Sequence, residues 1–227
     1  MTRHEAYLRR RAEVLQSVPG GVAGGAGDLV VLLPGFGGLD ELEFLAPMLA
    51  RRHRVLALEL PDAPFDEVVA QVRSALPDEP LSIVGFSFGA LVALAVGAGA
   101  QAVVLGAGWL RPDQRLARFS QLAAAPEFLR FALLSPGSPL DPTFDPRSHL
   151  LTADATEHRT TAPTLVLAAE HDALVSREHS ELLYGSLEDA AYETLDSGHA
   201  LLAERPAEVL ARIEAFLAAH ATTRADA

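Results

Sequence analysis

The sequence predicts an α/β protein with a mainly parallel sheet flanked by helices. Short apolar runs of strand character alternate with segments of helical periodicity along most of the chain, the pattern of a parallel sheet. One of these runs, Leu81 to Val84, leads through a glycine-bounded turn into the buried helical run Phe88 to Val96. A chain of 227 residues fits one domain, so we expect residues 1–227 to form a single domain.

The elements follow one another from a continuous apolar strand onwards. The run Leu29 to Leu33 is typical of a strand buried on both faces. Before it, we expect an amphipathic helix over residues 3–16 and a flexible, glycine-rich connection over residues 19–27, with no evident strand. After it we predict helices within 40–51 and over 65–76, 177–184 and 206–219, and strands over 54–58, 102–105, 164–168 and 192–195.

The alternation breaks down between Gly106 and Ala162. This segment contains helical runs over 113–123 and 126–134 and then a proline-rich stretch. We expect a small helical cap insertion over about residues 107–161, which would cover the carboxyl edge of the sheet and shape a substrate pocket. The residues expected to line that pocket are Gly37, Trp109, Phe119, Phe128, Phe131 and Phe144.

Composition excludes several classes of function. A formal net charge of −12 argues against nucleic acid or an anionic membrane as the main partner. The chain has no cysteine, which excludes disulfides, thiolate metal sites and a cysteine nucleophile. The amino terminus lacks the apolar core of a secretory signal, so a cytoplasmic location is expected. The uncharged stretch 88–110 is interrupted by glycines and is expected to be core, not a membrane span.

Residues 85–89, Gly-Phe-Ser-Phe-Gly, form the G-x-S-x-G pattern of a nucleophile elbow. In such a turn the serine adopts a strained backbone conformation and its hydroxyl projects from the carboxyl edge of the sheet. A side chain at Gly85 or Gly89 would collide with the neighbouring strand or helix. We therefore predict Ser87 as the nucleophile, with the N–H of Phe88, at the start of the next helix, as an oxyanion donor.

A second glycine-rich turn, Pro34 to Gly38, directly follows the first buried strand. Such a turn can direct backbone N–H groups towards a bound anion. Phe36 or Gly37 is placed to supply the second oxyanion donor, and we favour Phe36. The alternative is that these glycines only make a tight connection from strand to helix.

A serine hydroxyl needs an imidazole to accept its proton and a carboxylate to orient that imidazole. His199 follows the last predicted strand, and Asp172 follows the strand before it, which gives the chain order Ser87, Asp172, His199. Glu170 and Asp196 are competing acids, but Glu170 lies too close to the strand and Asp196 too close to His199.

The other histidines are less suited to the role of general base. His171 stands beside Asp172, and its side chain is expected to point away from it. His149 and His158 remain alternatives as pocket residues. A metal site formed by Glu170, His171, Asp172 and His199 is a rival interpretation, but no H-x-x-x-H or H-E-x-x-H spacing supports it, so we expect neither a metal nor a cofactor.

These motifs together resemble the α/β-hydrolase fold family over about residues 29–217. The match comprises Ser87 in GFSFG, Asp172 in LAAEHDALV and His199 in DSGHALLAERPAEVL. The resemblance places the oxyanion positions at Phe36 in LLPGFGG and at Phe88. The family often has histidine where this chain has Pro34 and Phe86. The resemblance implies an α/β-hydrolase fold and a Ser-His-Asp catalytic triad.

The sequence thus predicts a serine hydrolase that cleaves a carboxylic ester or acyl thioester through an acyl-enzyme. LPGFGG and GFSFGA are similar to thioesterases that serve carrier-protein pathways, which makes an acyl carrier protein a candidate partner. One alternative is an enzyme of the same fold that cleaves carbon–carbon bonds or catalyses elimination or cyclisation. Another is a non-catalytic receptor with this fold, which an intact triad argues against.

Overall fold

One sheet organises the part of the chain that the structure describes. The structure is a computed structural model and describes residues 14–123 and 151–221, the side chains of residues 119–123 excepted. Within these ranges eight strands form a single sheet in the order β1-β2-β4-β3-β5-β6-β7-β8. The strands are β1 (Leu15–Val18), β2 (Gly21–Gly24), β3 (Leu29–Leu33), β4 (Arg54–Leu58), β5 (Leu81–Phe86), β6 (Val103–Gly106), β7 (Thr164–Ala169) and β8 (Ala190–Leu195).

The predicted α/β class with a mainly parallel sheet is confirmed. Strands β3 to β8 pair with one another in parallel, and the antiparallel pairs, β1 with β2 and β2 with β4, lie at one edge of the sheet. Parallel strands all end at the same edge of a sheet, so the loops after β3, β5, β7 and β8 meet there. These four loops contain the predicted catalytic and oxyanion residues.

Helices cover both faces of the sheet. In β3, Val31 and Leu33 belong to one buried apolar cluster, whereas Val30 and Leu32 belong to a second cluster on the opposite face. Apart from a 3₁₀ turn over Gly38–Leu42, the described helices are α1 (Leu45–Leu49), α2 (Phe65–Ala75), α3 (Phe88–Val96), α4 (Gln114–Ala123), α5 (Arg177–Gly185), α6 (Leu201–Glu204) and α7 (Pro206–Ala219).

Two of these helices show the layering. Every residue of α3 is buried, and its apolar side chains join the first cluster, while α7 contributes Val209, Ile213 and Leu217 to the second. The sheet is therefore sandwiched between helices. None of the helices within the described ranges is long and apolar enough to cross a membrane.

The expectation of no strand before Leu29 is wrong. Residues 15–18 and 21–24 form an antiparallel hairpin that extends the sheet, so Leu15 and Gln16 lie in a strand and not in the predicted helix. Residues 3–13 of that predicted helix lie outside the described residues. Pro19 and Gly20, with φ +76° at Gly20, suit a type II turn. A Cβ on Gly21 would lie 2.0 Å from the Ala57 oxygen, so glycine permits the close approach of these two strands. Because glycine has no side chain, this strand also lacks the alternating apolar pattern by which a strand is recognised in a sequence.

The first helix of the predicted cap segment is tied to α5. Asp113 accepts hydrogen bonds from the N–H groups of Arg115 (2.8 Å) and Leu116 (2.9 Å) at the start of α4. Its other oxygen lies 3.4 Å from Nε2 of the buried His179 in α5. Partial burial raises the pKa of Asp113, but the Leu116 N–H, the charge of His179 and the N–H and charge of Arg115 together outweigh it, so the pKa lies below its ordinary value.

Trp109 is a core residue in this structure. Its side chain has no exposed surface and belongs to the same buried cluster as α3. Its Nε1–H donates a hydrogen bond of 3.0 Å to the carbonyl oxygen of Ala153, at the other described end of the cap segment. This placement favours a structural role for Trp109 as a link between the two described ends of the predicted cap segment, over the predicted place in the pocket wall.

We expect Trp109→Phe to lower the free energy of unfolding by about 1–3 kcal/mol, because the buried Ala153 carbonyl loses its donor. Urea denaturation followed by far-UV circular dichroism measures this, since the variant has no tryptophan to report by fluorescence. Unchanged stability together with an altered KM for an acyl substrate would instead place Trp109 in the pocket wall.

Candidate active site

Ser87 lies at the sharp turn between β5 and α3. Its backbone has φ 51° and ψ −119°, a conformation that residues other than glycine rarely adopt. The turn is fixed on both sides, because the Ser87 N–H donates to the Gly106 carbonyl (2.8 Å) and the Ser87 carbonyl accepts from the Ala90 N–H (3.0 Å). The strained geometry of a nucleophile elbow is thus present at the predicted serine.

Glycine at both ends of the elbow is required by space, as predicted. A Cβ on Gly85 would lie 2.1 Å from the carbonyl oxygen of Gly89, and one on Gly89 would lie 2.3 Å from that of Leu33. Real Cβ atoms do not approach backbone oxygens so closely. The two glycines therefore allow α3 to pack directly on β3 and β5, and this packing places Ser87 at the sheet edge.

A chain of hydrogen bonds joins Ser87 to His199 and Asp172. His199 Nε2 lies 3.0 Å from Ser87 Oγ, and His199 Nδ1 lies 2.7 Å from Asp172 Oδ2. The second oxygen of Asp172 accepts the N–H groups of Leu174 and Val175, each at 2.8 Å. The carboxylate is thus fully hydrogen-bonded and faces the ring of His199, with Nε2 left to accept the serine proton.

The side chains of Asp172 and His199 differ in burial in the way that general base chemistry requires. The Asp172 side chain is only 1% exposed, whereas the His199 side chain is 20% exposed. A buried carboxylate that accepts three hydrogen bonds holds the imidazole in one orientation. The more accessible His199 can still exchange a proton with a bound molecule.

The rival acids and His171 lie apart from this chain. His171 Nε2 is 3.0 Å from Asp196 Oδ1, and Asp196 also pairs with Arg205 at 3.1 Å. Glu170, His171 and Asp196 are exposed, and their candidate ligand atoms lie within 4.8 Å of one another. Of the four residues in the rival metal interpretation, Asp172 and His199 are therefore part of the hydrogen-bonded chain to Ser87, whereas Glu170 and His171 lie outside it.

The two predicted oxyanion positions are neighbours. The rings of Phe36 and Phe88 stack with centroids 6.1 Å apart and an interplanar angle of 16°. The alternative donor, Gly37, is already engaged, because its N–H donates a 2.6 Å hydrogen bond to Glu41. The Gly37 N–H therefore has a protein partner, and Phe36 stays the predicted oxyanion donor of this turn. Sequence reasoning did not identify Glu41.

An aromatic side chain of α2 packs against Phe88, the residue that directly follows the serine. The ring of Phe65 meets Phe88 edge to face at 5.9 Å, and His158 meets Phe65 at 5.5 Å. Sequence reasoning missed Phe65 and kept His158 only as an alternative pocket residue. The predicted pocket residues Phe128, Phe131 and Phe144 and the side chain of Phe119 lie outside the described residues, as does His149.

The chain belongs to the alpha/beta hydrolase family, because residues 30–213 match the sequence pattern of that family. This confirms the α/β-hydrolase fold. No curated protein matches the sequence.

Solved structures show the same fold. The Rv0554 protein of Mycobacterium tuberculosis has a TM-score of 0.72 at 20% identity, covering 88% of this chain and 93% of that one. A thermophilic esterase from Thermogutta terrifontis has a TM-score of 0.68 at 18% identity, covering 92% and 98%. The enol-lactonase from Burkholderia xenovorans LB400 has a TM-score of 0.64 at 17% identity, covering 90% and 99%.

The strain at Ser87 leads to a stability prediction. We expect Ser87→Gly to be more stable than Ser87→Ala by about 1 kcal/mol, because glycine relieves a strain of about 1–3 kcal/mol at a cost of about 0.5–1 kcal/mol in chain entropy. Urea denaturation of both variants measures the difference. An alanine variant as stable as the glycine variant would contradict a strained turn.

Proposed function

We propose that this chain is a cofactor-independent serine hydrolase that cleaves an ester or acyl thioester through an acyl-enzyme. The observation that carries the proposal is the hydrogen-bonded chain from Ser87 Oγ through His199 to Asp172, with distances of 3.0 and 2.7 Å. A serine hydroxyl in contact with an oriented imidazole has a base for its proton as it attacks a carbonyl carbon.

In the acylation step, Ser87 Oγ attacks the acyl carbonyl and its proton passes to His199 Nε2. The imidazolium so formed is stabilised by the Asp172 carboxylate, which accepts the Nδ1–H. The carbonyl oxygen becomes an oxyanion, which the N–H groups of Phe36 and Phe88 stabilise. Such donors contribute most when they are fixed before the charge develops.

The leaving group departs as an alcohol or thiol after taking the proton from His199 Nε2. The acyl group then remains on Ser87 Oγ, and a water molecule attacks it while His199 accepts the water proton. Collapse of the second tetrahedral intermediate returns the proton to Ser87 and releases the carboxylic acid. His199 is 20% exposed, which is consistent with a base that must reach both a leaving group and water.

The surroundings of the serine support an apolar acyl group. Phe36, Phe88 and Phe65 form a continuous aromatic contact that includes the residue directly after the serine, and aromatic surfaces bind hydrocarbon chains. The Thermogutta and Burkholderia proteins are described as an esterase and an enol-lactonase, but their low identity supports only the shared fold. An acyl thioester on a carrier protein is the more specialised form of this proposal.

Turnover of a substrate panel tests the proposal. The panel comprises p-nitrophenyl esters of short and medium chain length and the matching acyl-CoA thioesters, assayed with wild-type protein and Ser87→Ala. Hydrolysis that depends on Ser87 supports the proposal and ranks ester against thioester. Covalent labelling of Ser87 by a fluorophosphonate without hydrolysis of any panel member would instead favour carbon–carbon cleavage, elimination or cyclisation.

The acid of the triad can be identified with a matched pair of variants. We expect Asp172→Asn to lower kcat by about 10³–10⁴-fold, because the amide favours the wrong tautomer of His199. Glu170→Gln changes an exposed carboxylate two residues earlier and is expected to leave kcat within about twofold, as surface charges contribute little. Steady-state assays of both variants measure this, and equal losses in the two would contradict the assignment of Asp172.

A further inference from the structure

The carboxylate of Glu41 lies against the turn that precedes it in the chain. The Gly35 N–H donates a hydrogen bond of 2.7 Å to Glu41 Oε2, and the Gly37 N–H donates one of 2.6 Å to Glu41 Oε1. Distances this short are typical of hydrogen bonds to an ionised acceptor. Both oxygens of one side chain thus hold the two N–H groups on either side of Phe36.

The peptide unit between Gly35 and Phe36 is fixed by its neighbours. The Gly35 carbonyl accepts a hydrogen bond from the Gly38 N–H at 3.3 Å. A trans peptide is planar, so the Phe36 N–H points away from that carbonyl, towards the opposite side of the turn. Rotation of this peptide would break the contact to Gly38 and disturb the two N–H groups bound to Glu41.

The glycines of the turn make room for this carboxylate beside the serine. A Cβ on Gly35 would lie 2.9 Å from Glu41 Oε2 and 3.0 Å from Ser87 Cβ. A Cβ on Gly37 would lie 2.5 Å from Glu41 Cγ. Gly35 is therefore packed between Glu41 and Ser87, so a small movement of the turn changes the distance between its N–H groups and the reacting serine.

We infer that Glu41 is a positioning residue that orients the Phe36 N–H towards the oxyanion formed at Ser87. The inference rests on the proposed function, because it needs an oxyanion for that N–H to bind. Glu41 acts through the backbone of residues 35–37 and not by direct contact with the reacting atoms. Its effect is therefore expected in transition-state stabilisation more than in binding of the ground-state substrate.

Two variants of Glu41 separate geometry from charge. In Glu41→Gln the amide oxygen can still accept a hydrogen bond from one of the two N–H groups, but the amide nitrogen is a donor and repels the other N–H group. In Glu41→Ala both acceptors are lost. If the carboxylate only repelled the oxyanion, Glu41→Gln would raise kcat, whereas a positioning role requires that both variants lower it.

We expect Glu41→Gln and Glu41→Ala each to lower kcat by about 10–100-fold, less than the loss of an oxyanion donor itself, with KM within about twofold of wild type. The inhibition constant of a trifluoromethyl ketone, which forms an oxyanion at the serine, is expected to rise by the same factor as kcat falls. A general loss of structure would weaken both substrate and ketone binding. Far-UV circular dichroism and thermal unfolding check that each variant is folded.

Glu188→Gln is the matched control, since Glu188 is an exposed carboxylate between α5 and β8, at the opposite edge of the sheet. Folded Glu41 variants with kcat within about twofold of wild type, or a higher kcat in Glu41→Gln, would overturn the inference and leave the proposed function standing. Wild-type protein that neither hydrolyses an ester nor binds the ketone would contradict the proposed function itself.

Discussion

The close approach of α3 to the sheet is the constraint on which the site depends. The backbone of α3 lies against β3 and β5 at van der Waals distance only because Gly85 and Gly89 have no side chains. That packing forces the connection between β5 and α3 into one sharply turned residue, Ser87, whose strained backbone is held by hydrogen bonds to Gly106 and Ala90. The buried helix supplies the stability that offsets this strain.

Carboxylates fix the loops around Ser87 by accepting hydrogen bonds from backbone N–H groups. Asp172 accepts from Leu174 and Val175, and Glu204 accepts from Gly198, directly before His199, at 2.8 Å. Glu41 accepts from Gly35 and Gly37. Each of these loops is thus held by a side chain from its own stretch of chain, which leaves its functional group little freedom to move.

Pre-organisation of this kind suits the chemistry that we propose. An oxyanion hole and a general base lower a reaction barrier most when they need not rearrange as charge develops. The Asp172 side chain is nearly completely buried and is tied to His199, and the turn around Phe36 is held at three of its polar groups. The aromatic contact among Phe36, Phe88 and Phe65 packs the turn around Phe36 against the helix that follows the serine.

The sequence was sufficient for the elements whose signals are local. Continuous apolar runs predicted β3 and β5, and the glycines of the elbow predicted the turn at Ser87, because each pattern reports on burial or close approach at its own position. Placement after a strand was enough to bring Asp172 and His199 to the same edge as Ser87.

The remainder depends on contacts between distant or weakly patterned segments. The β1–β2 hairpin was missed because its glycines face backbone across the sheet and give no apolar alternation. The hydrogen bond from Trp109 to the Ala153 carbonyl, 44 residues away, has no local signature. Glu41 was overlooked because a glutamate in a turn is ordinary until its two acceptors are seen beside Gly35 and Gly37.

Labelling with a fluorophosphonate, followed by intact mass and peptide mapping, tests the central claim that His199 and Asp172 activate Ser87. We expect one covalent adduct per chain, located on Ser87, absent from Ser87→Ala and formed much more slowly in His199→Ala. Folded wild-type protein that gains no adduct, or an adduct that forms equally fast without His199, would contradict an activated serine.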